Sequence, residues 1–105
     1  MIDLNFISKF SLEYSKAREK NGSVEKGSTL NLLKHCAGEI IEAQEARDKW
    51  ILGGGDFDSK EKEDYAAELA DVIMCVLIIS AHENIDIEEA LKACLDKNRK
   101  RADLN

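Results

Sequence analysis

The sequence predicts an all-α fold, a four-helix bundle-like protomer that assembles as an oligomer. Three observations predict it. There is no proline in 105 residues, Ala, Leu, Ile, Glu and Lys dominate, and apolar residues recur at three- and four-residue intervals through separate segments. Proline is the strongest breaker of a helix interior, and the abundant residues are among the good helix formers.

The first segment, Asp3 to Lys20, sets Leu4, Ile7, Phe10, Leu12, Tyr14 and Ala17 along one stripe and reads as a helix. Asn21-Gly22-Ser23 breaks the pattern, and a polar connector continues through Lys26-Gly27-Ser28. From Thr29 to about Trp50 a second helix is outlined by Leu30, Leu33, Ala37, Ile40, Ile41 and Ala43. Gly53-Gly54-Gly55-Asp56 ends it, because successive glycines forfeit too much backbone entropy to stay helical.

Asp58 with Glu61 has the form of a capping box, opening a third helix that runs to about Glu83. Its stretch Val72–Ile79 is apolar on every side and so must be covered on every side. A chain of 105 residues has few helices to spare for that, so a second subunit is expected against it. Asn84 and Asp86 mark a turn. Asp86-Ile87-Glu88-Glu89 repeats the capping form and opens a last helix through Ala90, Leu91, Cys94 and Leu95. The short connection predicts that the third and fourth helices are antiparallel neighbours, and residues 1–105 read as a single domain.

Composition excludes several classes of function. Charged residues make up 34% of the chain and the net charge is −6, which does not suit a surface that neutralises a nucleic-acid backbone. The unbroken apolar run is far shorter than the roughly 20 residues that cross a bilayer, and no cationic, apolar leader opens the chain. The expectation is a soluble, cytoplasmic protein without nucleic-acid or membrane partners. Cys36, Cys75 and Cys94 form no CxxC pair and sit among apolar neighbours, so they read as buried reduced thiols.

The chemistry lies in acids. Glu39-x-x-Glu42 and Glu68-x-x-Asp71 each place two carboxylates one turn apart on one helix face. Both pairs are interleaved with apolar residues, so they approach the core, where carboxylates repel one another unless something positive compensates them. A divalent ion is the simplest compensation. All-oxygen ligands match Mg²⁺, with Mn²⁺ as a substitute. A solvated acidic helix face is the bland alternative for either pair alone.

Glu39-Ile40-Ile41-Glu42 followed by Glu68-Leu69-Ala70-Asp71-Val72-Ile73 resembles the MazG-like branch of the all-α nucleoside triphosphate pyrophosphatases, whose motif is ExxE then ExxD. Asn84 to Ala90 resembles that family's turn into its last helix, and Asn98-x-x-Arg101 its basic ending. The resemblance implies hydrolysis of nucleoside or deoxynucleoside triphosphates to monophosphate and pyrophosphate. Glu39, Glu42, Glu68 and Asp71 would then hold Mg²⁺, and Glu39 or Glu42 would accept the proton of the attacking water.

Lys97, Asn98 and Arg101 are candidates for phosphate contacts, although a basic helix end also complements the helix dipole. Trp50 would either stack on a base or pack, and Asn31 and Lys34 are further substrate candidates. His35 and His82 read as peripheral, since neither forms the Glu-x-x-His pair of a di-iron bundle. The partners expected are a nucleoside triphosphate and a second copy of the chain, as dimer or tetramer. A non-catalytic helical dimerisation or regulatory module that keeps the fold is the competing reading.

Overall fold

The structure, a computed structural model, describes residues 2–20 and 29–102. The connector expected at residues 21–28 lies outside the described residues. Four helices are present, α1 (Leu4–Lys20), α2 (Thr29–Leu52), α3 (Lys60–His82) and α4 (Ile87–Arg101). The protein is all-α, with no strand among the described residues.

The end signals act largely where their chemistry demands. Ser59 has the extended backbone of an N-cap (φ −96°, ψ 156°), and its hydroxyl accepts from the Lys62 N–H at 3.2 Å. The cap of α3 is therefore one residue later than the Asp58–Glu61 spacing suggests. Ser59 wins because its hydroxyl also donates to the Asp56 carbonyl at 2.8 Å, which ties the cap to the preceding loop. Asp86 caps α4 as expected, accepting from the Glu89 N–H at 3.1 Å.

Helix α3 is central, with α2 along one side and α1 along another. Trp50 stacks on Tyr65 near one end of the α2–α3 pair, and Cys36 lies beside Cys75 towards the other, so the two helices run antiparallel. The α2 residues withdrawn from solvent include Leu32, Cys36, Glu39, Ala43, Ala46 and Trp50, spaced alternately by four and three. Tyr65, Glu68, Val72, Cys75 and Ile79 follow the same rhythm on α3. This is the seam spacing of two helices packed side by side.

The stripes expected from the largest apolar residues are only partly the ones that pack. On α2, Leu30, Leu33, Ile40 and Ile41 stay exposed while Cys36 and Ala43 are buried. On α1, Phe10 and Tyr14 stay largely exposed, whereas Ser8 and Ser11 are buried and Ser8 donates to the Leu77 carbonyl of α3. Small side chains let two backbones approach closely enough to fill the gap between them, and that contact outweighs turning the larger residues inward.

Helix α4 packs on α1, not chiefly on α3 as the short connection suggests. Asn84 takes a left-handed conformation (φ 57°), and the Ile85 N–H returns to the Ser80 carbonyl at 2.8 Å, closing α3. The start of α4 is then captured by α1: the Leu4 N–H donates to Glu88 Oε1 and the Asn5 amide to Asp86 Oδ1, both at 3.0 Å.

Much of the apolar surface remains open. Ile73 is 56% exposed and Leu95 54%, and no α4 residue is buried. The radius of gyration is 16.3 Å, against about 13 Å for a compact chain of 100 residues. By length and composition α3 would suffice to cross a membrane, a property that the unbroken run Val72–Ile79 does not convey. The same helix carries Glu68 and Asp71.

Candidate active site

Glu39 and Glu68 occupy seam positions, places taken one turn away by Cys36, Ala43, Tyr65 and Val72. Helical spacing then sets Glu42 and Asp71 one turn further along their own helices, beside the seam. The antiparallel pairing of α2 and α3 brings the two motifs together. One carboxylate oxygen from each of Glu39, Glu42 and Glu68 lies within 4.8 Å of the other two. Asp71 stands just outside this trio, and its charge acts on both Glu39 and Glu68.

Glu39 Oε1 meets His35 Nε2 at 3.2 Å, whereas Glu39 Oε2 and Glu68 Oε2 are buried and have no hydrogen-bond partner. Desolvation first, then the neighbouring Glu42 and Asp71, push the Glu39 carboxyl above its ordinary range, partly offset by His35. Desolvation, Glu42, Asp71 and Asp64 do the same to Glu68. Unpaired anionic oxygens turned away from water cost free energy unless a cation compensates them. The donors offered are carboxylate oxygens, the set a hard octahedral ion such as Mg²⁺ takes, so the residues present fit that ion.

The cluster is open on two sides. A cleft of about 320 Å³ is lined by Glu42, Glu45, Lys49, Glu61, Asp64 and Glu68. On the other side a cavity of about 480 Å³ is bounded by Phe10, Tyr14, His35, Glu39, Asp71 and Met74. Glu45 and Asp64 were not singled out from the sequence. Their signal was present in the rows Glu39-x-x-Glu42-x-x-Glu45 and Asp64-x-x-x-Glu68-x-x-Asp71, which extend each acidic face by a turn. Lys60 holds Asp64 at 2.8 Å.

The other residues singled out lie elsewhere. Trp50 stacks on Tyr65 with centroids 5.9 Å apart, meets the Phe57 edge, and donates its indole N–H to the Asp56 carbonyl at 2.8 Å. These contacts tie the glycine loop to α2, where Gly54 and Gly55 take positive φ. Asn31 and Lys34 are exposed on the first turns of α2. Lys97, Asn98 and Arg101 are exposed at the end of α4, with Asn98 against Cys94 Sγ at 3.8 Å, so acids and basic end belong to different helix pairs of the chain. Of the thiols expected to be buried, Cys36 is, Cys75 is half-buried and Cys94 is exposed. Cys94 stays in solvent because α4 has no covering helix on that face.

Residues 27–104 match the family described as MazG nucleotide pyrophosphohydrolase domain, a span that includes all four acids and the whole of α2, α3 and α4. No curated protein and no solved structure matches the chain significantly.

Proposed function

The chain belongs to the MazG nucleotide pyrophosphohydrolase family, and on that premise we propose that it hydrolyses nucleoside or deoxynucleoside triphosphates to the monophosphate and pyrophosphate, using Mg²⁺ held by Glu39, Glu42, Glu68 and Asp71. The observation that carries this reading is the convergence of Glu39, Glu42 and Glu68 within 4.8 Å, with two of their oxygens buried and unpaired.

When bound, Mg²⁺ draws off phosphate charge and makes water a better nucleophile. The chain's own part is to place acids on two rigid helices, so that little reorganisation is needed when the triphosphate arrives. Water oxygen bonds to the α phosphorus, the bond to the β-phosphate oxygen breaks, and pyrophosphate leaves. Glu39 or Glu42 takes the proton of that water, since Glu39 lines the cavity on one side of the cluster and Glu42 the cleft on the other, and a base so placed contributes about 10²–10⁴-fold. Lys97, Asn98 and Arg101 would neutralise and orient phosphate oxygens. Asn31 and Lys34 would meet the nucleotide from the start of α2. The packing of Trp50 supports a role in anchoring the loop rather than in stacking on a base.

The reading includes self-association, as dimer or tetramer, and activity on the cytoplasmic nucleotide pool. Exposed Leu33, Ile40, Ile41 and Ile73 on the α2–α3 pair support it, because large apolar side chains left in water are what a second subunit would cover.

Pyrophosphate release from a panel of natural nucleoside triphosphates, with and without Mg²⁺, tests the proposal. The expected result is Mg²⁺-dependent release that falls at least ~10²-fold in Glu39→Gln and in Asp71→Asn, with helicity retained. Wild-type turnover in both variants would overturn the assignment. Failure to bind Mg²⁺ in calorimetry would favour the non-catalytic module.

A further inference from the structure

We propose that His35, Glu39 and Cys75 form a second metal site, selective for a thiophilic divalent cation of the Zn²⁺ class, that shares the Glu39 carboxylate with the acidic cluster. The proposal rests on the reading of Glu39 as a Mg²⁺ ligand only for that sharing.

Donor atoms of the three side chains, a ring nitrogen, a carboxylate oxygen and a thiol sulfur, all lie within 4.8 Å of one another. Two come from α2 one turn apart, His35 Nε2 and Glu39 Oε1 at 3.2 Å, and the third faces them from α3. A His–Glu pair at this spacing is ordinary on a helix surface. The half-buried thiol brought up from the opposite helix is not part of such a pair. Nitrogen, oxygen and sulfur on two helices make a three-ligand set for a tetrahedral ion, with the fourth place left to water. The same set is poor for Mg²⁺, which avoids thiolate and demands octahedral oxygen.

The site is accessible. The cavity of about 480 Å³ is bounded by His35, Glu39, Asp71 and Cys75 together, and the His35 side chain is 66% exposed, so an incoming ion reaches its ring from solvent. Coordination replaces the thiol proton of Cys75, which leaves to solvent. Glu39 belongs to both donor groups, His35–Glu39–Cys75 and Glu39–Glu42–Glu68. A cation at the first group draws on the same carboxylate charge that the second group uses. A Zn²⁺-class ion therefore competes with the acidic cluster for the charge of a shared ligand.

The test uses Co²⁺ as the visible stand-in for Zn²⁺, added to the reduced full chain without nucleotide. The expected result is one Co²⁺ per chain with tetrahedral d–d bands and a thiolate-to-cobalt charge-transfer band, both bleached by Zn²⁺. Cys75→Ser removes the charge-transfer band, His35→Ala weakens Co²⁺ binding at least ~10-fold, and Cys36→Ser and Cys94→Ser leave the spectrum unchanged. His35 is exposed, so its variant tests the site without threatening the fold. A wild-type spectrum lacking the thiolate band, or one that persists in Cys75→Ser, overturns the proposal. A chain that shows the band yet releases no pyrophosphate with Mg²⁺ keeps this site and loses the function proposed above. The reverse result loses this site alone.

Discussion

Replacing Glu39 by Gln should make the metal-free protein more stable while destroying its response to Mg²⁺. In the folded state a Glu39 oxygen lies within 4.8 Å of one on Glu42. Two unit charges at about 4.8 Å repel by roughly 0.9 kcal/mol in water and roughly 3.5 kcal/mol at an effective dielectric of about 20. Glu42 is exposed, which favours the lower figure. The variant also loses the 3.2 Å pairing with His35, a helical i,i+4 pair worth about 0.3–0.5 kcal/mol. The net gain is about 0.5 kcal/mol, or roughly 2–4 °C in Tm for a domain of this size. Against that, Mg²⁺ at about a hundred times its Kd stabilises the wild type by about 2.7 kcal/mol through mass action, and the variant by almost nothing. Thermal melts followed by circular dichroism at pH 7.5, with MgCl₂ replaced by NaCl at equal ionic strength in the control, read both effects. A metal-free variant that melts below wild type, or one that keeps the full Mg²⁺ shift, would refute the reasoning. The pH dependence has a definite sign. The pKa values of Glu39 and Glu68 are raised in the folded state, so the stability they contribute is present below the ordinary carboxylate pKa and lost as pH rises through the raised values. The Mg²⁺-induced shift in Tm should accordingly be larger at pH 7.5 than at pH 5.

Four further outcomes are expected. Trp50→Phe removes the 2.8 Å bond to Asp56, costs about 1 kcal/mol and lowers Tm with KM unchanged; a raised KM at unchanged Tm would point instead to base stacking. Ser59→Ala, which loses the 3.2 Å cap of α3, costs about 1 kcal/mol in urea unfolding, and Ser59→Asp recovers it. Asp86 has a depressed pKa, held down by the Asn5 amide and then by the Glu89 N–H, so its contribution is present above the ordinary value and lost as pH falls through the depressed one. Acid titration followed by amide exchange should show α4 loosening from α1 first. If the chain self-associates as proposed, Ile73→Glu, on the open face of α3, should yield monomers in sedimentation velocity, and an unchanged mass would place the interface elsewhere.

The four helices, the α4 cap and the two acidic motifs were legible in the sequence because each depends on residues within a turn or two of one another. Asp86 finds Glu89 three residues on, and Glu39 and Glu68 each share a face with the acid three residues later, whatever the rest of the chain does. The tertiary structure alone decided which face of each helix pairs. Both α1 and α2 offer more than one apolar face, and periodicity cannot rank them. Close packing chose the faces with Ser8, Ser11, Cys36 and Ala43, leaving Phe10, Leu33 and Ile40 outside. That choice sets Glu39 and Glu68 in the seam and brings Cys75 up to His35 and Glu39. Local chemistry thus determined the elements and the acids they carry, whereas the competition between faces, settled by how nearly two backbones can approach, determined which acids meet.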